Sequence, residues 1–218
     1  MKELLIYGAA NPELVKLVDS INLKQDTWEI IGFLDDFRKD EVDSYMGYPI
    51  LGGEEVINQY RDQGCYFINN AFGTTKNRLI VTQKLEKSKV NCATLISPKV
   101  DMNYVRVGFD CVLLDGVILG ANVSIGSHVM VRAGSTINHD ATIADHVFIG
   151  PGVTICGNAK IGEGAYIGAG SVIKDGLTIN PWSTVGMGAI INKDVKEGDI
   201  VAMSPAKSIK GLVSPGRQ

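Results

Sequence analysis

The sequence predicts two units of different class. One is a small α/β domain with a parallel sheet over residues 1–90, and the other is an all-β parallel β-helix over residues 107–196. Two observations predict them. The first part alternates short apolar runs with segments of helical periodicity, and the second repeats an aliphatic residue every six positions. Residues 91–106 are predicted to be a transition, and residues 197–218 a C-terminal tail.

Strand and helix patterns alternate through residues 1–90. In the first helical segment, Leu14, Leu17, Val18 and Ile21 recur at helical spacing after Pro12. We predict strands at 3–7, 28–34 and 66–69, and helices after Pro12, at 54–61 and at 76–85. Strands that alternate with helices predict a small Rossmann-like parallel sheet covered by helices.

The six-residue repeat runs without a gap. Every sixth residue from Val107 to Ile191 is aliphatic, and the fourth residue after each of these is small or β-branched except at Leu177. Three hexads form one triangular coil of about 18 residues, so the repeat predicts about five stacked coils. An α-helix would place apolar residues every three or four positions, which excludes it here.

Composition excludes several classes of function. A net charge of −3 and a pI of about 5.6 provide no basic surface for nucleic acid. No apolar run is long enough to cross a bilayer, so we expect no membrane association and a cytoplasmic location. The four cysteines form no CxxC pair, which argues against a zinc ribbon and favours reduced thiols.

All three histidines fall within the repeat. His128 and His146 are 18 residues apart and should stack on one corner, whereas His139 lies on another corner beside Asp140. A carboxylate next to an imidazole increases its basicity and fixes one tautomer, as general base catalysis requires. Asn122 and Asn158 occupy the same turn position as Asp140, so Asp140 is equally interpretable as a turn former.

Several motifs resemble the NeuD/PglD family of sugar acetyltransferases. They are, in chain order, Phe33-Leu34-Asp35-Asp36, the Ile-Asn-His-Asp-Ala-Thr-Ile-Ala-Asp run at 137–145, Ile149-Gly150-Pro151-Gly152, the glycine-rich 161–170 and Pro205-Ala206-Lys207. The resemblance covers nearly the whole chain. It implies a left-handed β-helix, a homotrimer, and acetyl-CoA bound between neighbouring β-helices, with a nucleotide-sugar held by the N-terminal domain.

The resemblance also implies roles for individual residues, and no metal. His139 is the expected general base and Asp140 its orienting carboxylate. The expected acetyl-CoA contacts are His146, Phe148, Ala169 and Met187, and the expected contacts to the nucleotide-sugar are Gly8, Ala10, Asn11, Asp35 and Asp36. Two features depart from the family pattern. A second family histidine falls at Phe148, and the usual glycine-rich loop reads Gly-Ala-Ala-Asn-Pro-Glu at 8–13.

The sequence therefore predicts transfer of an acetyl group from acetyl-CoA to the amino group of a nucleotide-linked amino sugar, a precursor of a bacterial glycan or surface polysaccharide. One alternative is O-acetylation of a sialic acid or related sugar. Alternatives of other classes are a zinc hydratase that uses the three histidines and a non-enzymatic trimeric scaffold.

Overall fold

The computed structural model describes residues 1–71 and 73–202, so the motif at 205–207 and most of the predicted tail lie outside the described residues. Its N-terminal elements are, in chain order, β1 (Lys2–Tyr7), α1 (Glu13–Asn22), β2 (Trp28–Leu34), β3 (Ser44–Tyr45), β4 (Tyr48–Pro49), α2 (Ile57–Asp62), β5 (Tyr66–Asn69), α3 (Thr75–Lys87) and β6 (Asn91–Cys92). Short 3₁₀ helices cover Arg38–Asp40 and Glu54–Val56. The predicted strands and helices are all present.

The N-terminal sheet is parallel, with strand order β2-β1-β5-β6. β2 therefore lies on one side of β1, and β5 and β6 lie on the other side. This reversal of strand order makes the carboxyl ends of β1 and β5 a topological switch point. Thr74 begins α3 as its N-cap, because its hydroxyl accepts a hydrogen bond from the Asn77 backbone N–H. Loops follow the carboxyl ends of β1, β2 and β5 at Tyr7, Leu34 and Asn69.

The remaining strands are two residues long and form the β-helix. They are β7 (Leu95–Ile96), β8 (Arg106–Val107), β9 (Val112–Leu113), β10 (Ile118–Leu119), β11 (Ser124–Ile125), β12 (Met130–Val131), β13 (Thr136–Ile137), β14 (Thr142–Ile143), β15 (Phe148–Ile149), β16 (Thr154–Ile155), β17 (Lys160–Ile161), β18 (Tyr166–Ile167), β19 (Val172–Ile173), β20 (Thr178–Ile179), β21 (Thr184–Val185), β22 (Ile190–Ile191) and β23 (Ile200–Val201).

Three parallel sheets form the sides of the prism. Sheet I contains β7, β9, β12, β15, β18, β21 and β23; sheet II contains β8, β11, β14, β17 and β20; sheet III contains β10, β13, β16, β19 and β22. Partners within a sheet are 18 residues apart, as in the pairing of Ile125 with Ile143, except at the ends of sheet I, where β7 and β9 are offset by 17 and β21 and β23 by 16. The sheets extend to Leu95 and Val201, so the β-helix is longer at both ends than the predicted range 107–196.

The hexad positions have distinct physical roles. The repeated aliphatic residues point inward and form one continuous core with the small fourth residues. Each coil turns at three corners, and many corner residues have a positive φ, including Asp110, His128, Asp140 and His146. Glycine adopts this left-handed conformation freely, and asparagine, aspartate and histidine adopt it more often than other residue types do.

The N-terminal domain packs on the outward side of sheet I. Val112, Met130 and Phe148 belong to the same buried cluster as Ile6 and Phe33 of the parallel sheet. Arg132 strengthens this boundary through an ion pair with Glu13, at 2.8 Å between Nη2 and Oε2. The domain boundary is therefore an apolar core rather than a flexible linker.

Candidate active site

His139 lies on the corner between sheets II and III. Its Nδ1 is 2.9 Å from Oδ2 of Asp140, and its side chain is 64% exposed. Asp140 has a φ of 59°, so it is the left-handed turn residue of this corner and the partner of the imidazole at once. The same residue therefore forms the turn and hydrogen-bonds the imidazole.

Asp140 is held as a carboxylate by its neighbours. The hydrogen bond with His139, followed by one from the Asn122 side-chain amide, lowers the pKa of Asp140 below its ordinary value. A carboxylate that accepts from Nδ1 leaves Nε2 of His139 as the proton-accepting nitrogen. The pair therefore has the arrangement that a general base requires.

His146 lies on the corner between sheets I and II, away from His139. Its ring stacks on that of His128, with centroids 4.7 Å apart and an angle of 2° between the planes. His128 is buried and hydrogen-bonded to Asp110 at 2.8 Å, and Glu86 of α3 lies 3.3 Å from its other ring nitrogen. Burial, and next the charge of His128, lower the pKa of His146 below its ordinary value.

Phe148 is almost completely buried. It is 9% exposed and stacks on Tyr166, with ring centroids 4.9 Å apart, inside the core shared by the two domains. Ala169 and Met187 occupy the third corner, between sheets I and III, where Met187 is 78% exposed. One chain therefore distributes the four expected acetyl-CoA residues over two corners and the domain core, separate from the corner of His139.

A cavity of about 530 Å³ opens at the carboxyl ends of β1, β2 and β5. Four of the five expected sugar-nucleotide residues line it, namely Gly8, Ala10, Asp35 and Asp36. The fifth, Asn11, is buried, and its side-chain oxygen accepts from the Glu13 backbone N–H at the start of α1. Its position suits it to shape the loop more than to touch a ligand.

Asp35 and Asp36 accept hydrogen bonds that fix the segments around the cavity. Asp35 accepts hydrogen bonds from the backbone N–H groups of Ala9, Phe37 and Arg38, and so fixes the loops that follow β1 and β2. Asp36 accepts from the Tyr7 hydroxyl and the Lys84 ammonium, each at 2.7 Å. Burial and the hydrogen bond to Asp36 both raise the pKa of Tyr7, which keeps the phenol protonated as a donor.

Sequence reasoning missed part of the cavity lining. Asn77, Ile80 and Lys84 line it from α3, and Phe37 and Arg38 line it from the loop after β2. The α3 residues are three and four positions apart, so helical periodicity would have placed them on one face. Phe37 is 84% exposed, and an exposed aromatic residue beside an expected ligand loop is itself a signal.

Among residues 1–71 and 73–202, no three His, Cys, Asp or Glu side chains group together as metal ligands. The zinc alternative thus finds no ligand set in that part of the chain. Within the same residues, no helix has the length and apolar character needed to cross a membrane.

Comparison with known proteins agrees with this geometry. The PglD N-terminal domain model matches residues 3–85, and the bacterial transferase hexapeptide model matches four overlapping segments between residues 104 and 193. The comparison with curated protein sequences finds no match.

Solved structures match over both domains. The acetyltransferase domain of PglB from Neisseria gonorrhoeae, in complex with acetyl coenzyme A, is 26% identical, with a TM-score of 0.83 over 95% of this chain and 99% of that one. WeeI from Acinetobacter baumannii is 26% identical, with a TM-score of 0.79 over 95% and 99% of the two chains. A GDP-perosamine N-acetyltransferase from Caulobacter crescentus, in complex with CoA and GDP-perosamine, shares the fold at 22% identity and a TM-score of 0.82 over 95% and 96%.

An α/β domain of the PglD type joined to a hexapeptide β-helix is the architecture of an acetyl-CoA-dependent sugar acetyltransferase. The chain has the two-domain architecture of the NeuD/PglD-like hexapeptide acetyltransferases, as the sequence motifs predict.

Proposed function

We propose that this protein transfers the acetyl group of acetyl-CoA to the amino group of a nucleotide-linked amino sugar, and that His139 is the general base. The observation that carries the proposal is the hydrogen bond between His139 and Asp140 on an exposed corner, which leaves Nε2 open to solvent and to an acceptor. A base in this position contributes about 10²–10⁴-fold to the rate.

The proposed reaction is a direct transfer. The acceptor nitrogen attacks the thioester carbonyl, a C–N bond forms, and the C–S bond breaks. Nε2 of His139 removes the proton that the acceptor amine loses, and the CoA thiolate leaves and takes up a proton. Backbone N–H groups would stabilise the negative oxygen of the tetrahedral intermediate. Cys65 and Cys111 are buried, and burial raises the pKa of each thiol, to about 11 and about 12, so neither suits a covalent acetyl-enzyme.

The features of the N-terminal cavity support an acceptor sugar that is linked to a nucleotide. Its place at a topological switch point is where parallel α/β sheets bind nucleotides. Lys84 and Arg38 provide positive charge for phosphates, and Phe37 provides an exposed ring for stacking on a base. The altered loop at 8–13 retains Gly8, whose φ of 117° no other residue type adopts easily.

A homotrimer would complete the acetyl-CoA site. Within one chain, Ala169 and Met187 lie on a different corner from His139, and sheet III spans the distance between these corners. The outward residues of sheet III are Ile118, Thr136, Thr154, Val172 and Ile190, none of them charged. Ile118 and Ile190 are 62% and 70% exposed. Copies that pack through this face bury it and bring different corners of neighbouring chains together.

The test is an acetyl-CoA assay with 4-amino sugars linked to UDP, dTDP, GDP or CMP, and with a sialic acid as hydroxyl acceptor. We expect CoA release with one of the nucleotide-linked amino sugars, and a product that carries an amide. Exclusive activity on the sialic acid would establish O-acetylation instead. Tight nucleotide-sugar binding with no turnover on any acceptor would favour the scaffold.

A further inference from the structure

We propose that Gly157 is a positioning residue for His139, because the missing side chain at this position supplies the space that the imidazole occupies. Residue 157 lies 18 positions after His139, one coil further along the same corner, and the Asn158 backbone N–H donates to the His139 carbonyl at 3.0 Å. The geometric part of the proposal stands on the structure alone, and its catalytic consequence rests on the proposed function.

The imidazole covers the Cα of Gly157. A Cβ built on Gly157 would lie 2.7 Å from Cε1, 2.8 Å from Nε2 and 3.2 Å from Nδ1 of His139. Carbon atoms that are not bonded do not approach to 2.7 Å, since close-packed contacts lie near 3.5–4.0 Å. Any side chain at position 157 therefore displaces the ring of His139 from its observed position.

Backbone strain does not explain this glycine. The φ of Gly157 lies outside the left-handed region, so alanine can adopt the same backbone conformation. Gly164, in contrast, has a φ of 63°. At Gly120, an added Cβ would meet the backbone nitrogen of His139, so the coils themselves would have to separate. At Gly157 the obstructing atoms belong to a side chain that can rotate.

The displaced ring would lose its orientation. The side chain of His139 is 64% exposed, and among residues 1–71 and 73–202 its ring makes one hydrogen bond, to Asp140. A rotation about χ1 or χ2 that clears a Cβ at position 157 moves Nδ1 away from the carboxylate, and Nε2 then loses its fixed direction. A misplacement of about 1 Å in a reacting group can cost on the order of 10²-fold in rate.

The experiment replaces Gly157 by alanine and observes the imidazole directly. With ¹⁵N-labelled histidine, the ring nitrogen shifts report which nitrogen carries the proton, and three histidines per chain can be assigned by single substitutions. We expect the population of His139 with a protonated Nδ1 to fall in Gly157→Ala, and kcat to drop about tenfold or more, with the KM for acetyl-CoA and the thermal unfolding midpoint unchanged. In a His139→Ala background, Gly157→Ala should have no further effect on kcat.

Other outcomes would overturn the proposal. An unchanged tautomer would show that the ring tolerates the methyl group. An equal loss of kcat in the His139→Ala background, or a loss confined to the KM for acetyl-CoA, would mean that Gly157 acts on the ligand and not on the histidine.

If the tautomer changed while both His139→Ala and Gly157→Ala kept normal turnover, the positioning role would stand and the general-base assignment would fail.

Discussion

The ring of Phe148 lies parallel to that of Tyr166, with 7° between the planes and 4.9 Å between the centroids, in the core that joins the two domains. From the sequence, Phe148 is expected to touch acetyl-CoA, because a family histidine falls at its position. Its burial gives it a structural role within the chain, whether or not it also borders the co-substrate.

We therefore expect Phe148→His to destabilise the protein by about 1–3 kcal/mol. The substitution buries a polar ring in an apolar core that provides no hydrogen-bond partner for its nitrogens. Thermal unfolding measures the loss, and Phe148→Leu is the control that keeps the site apolar and should cost less. From the sequence alone, the same variant would keep or improve the KM for acetyl-CoA. A variant with normal stability and a lower KM would favour direct contact with acetyl-CoA.

His139→Ala should lower turnover by roughly 10²-fold or more, because the group that accepts the acceptor's proton is removed. The side chain is exposed, so assembly and acetyl-CoA affinity should stay as in the wild type. Steady-state kinetics with the best nucleotide-sugar measures the effect. Asp175→Ala is the matched control, since Asp175 is an exposed residue of the same corner, two coils away. Near-normal turnover of His139→Ala would reassign proton removal to another group or to solvent.

Asp140→Asn should cost less turnover than His139→Ala. The amide keeps an acceptor oxygen for Nδ1 but removes the negative charge that favours a protonated imidazole. The hydrogen bond with His139 lowers the pKa of Asp140, so in the wild type this charge is present above the ordinary carboxyl range and is lost as the pH falls through the lowered value. The charge of Asp140 is consequently complete near neutral pH, where steady-state kinetics should show the loss in Asp140→Asn. A loss equal to that of His139→Ala would assign Asp140 a role beyond orientation and charge.

The uncharged face of sheet III predicts the effect of a charge on assembly. We expect a solution mass near three times 23.4 kDa for the wild type, and a smaller mass for Ile190→Asp, because three buried carboxylates would face an apolar interface. Light scattering at micromolar concentration measures both. Thr142→Asp, on the outward side of sheet II, is the control. A wild-type monomer would remove the shared acetyl-CoA site and most of the proposed mechanism.

Lys84 should control the acid stability of the N-terminal domain. Burial opposes the charge of Asp36, yet hydrogen bonds from Lys84 and Tyr7 hold the pKa of Asp36 below its ordinary value. A lowered carboxyl pKa contributes stability that is complete above about pH 4 and is lost as the pH falls through the folded-state value. Lys84→Met should therefore unfold at lower temperature near neutral pH and lose less on acidification from about pH 5 to 3. Lys160→Met, an exposed lysine of sheet II, should follow the wild type, and an identical acid profile for Lys84→Met would contradict the assignment.

The sequence by itself determined the fold class, the register of the β-helix and the His139–Asp140 pair. Six-residue and helical periods reflect an alternation of buried and exposed positions among residues that are close in the sequence. Such a pattern can therefore be detected without knowledge of the tertiary structure. The sequence makes His139 and Asp140 neighbours in the chain, and the turn at Asp140 aligns their side chains.

Only the tertiary structure decided what lies one coil or one domain away. It placed Phe148 in the core under Tyr166, joined Asp36 to Tyr7 and Lys84, and set the imidazole of His139 over Gly157. These contacts depend on how α3 docks on the N-terminal parallel sheet and on which side chains stack between coils. Such packing is a property of distant segments together, and no local period encodes it.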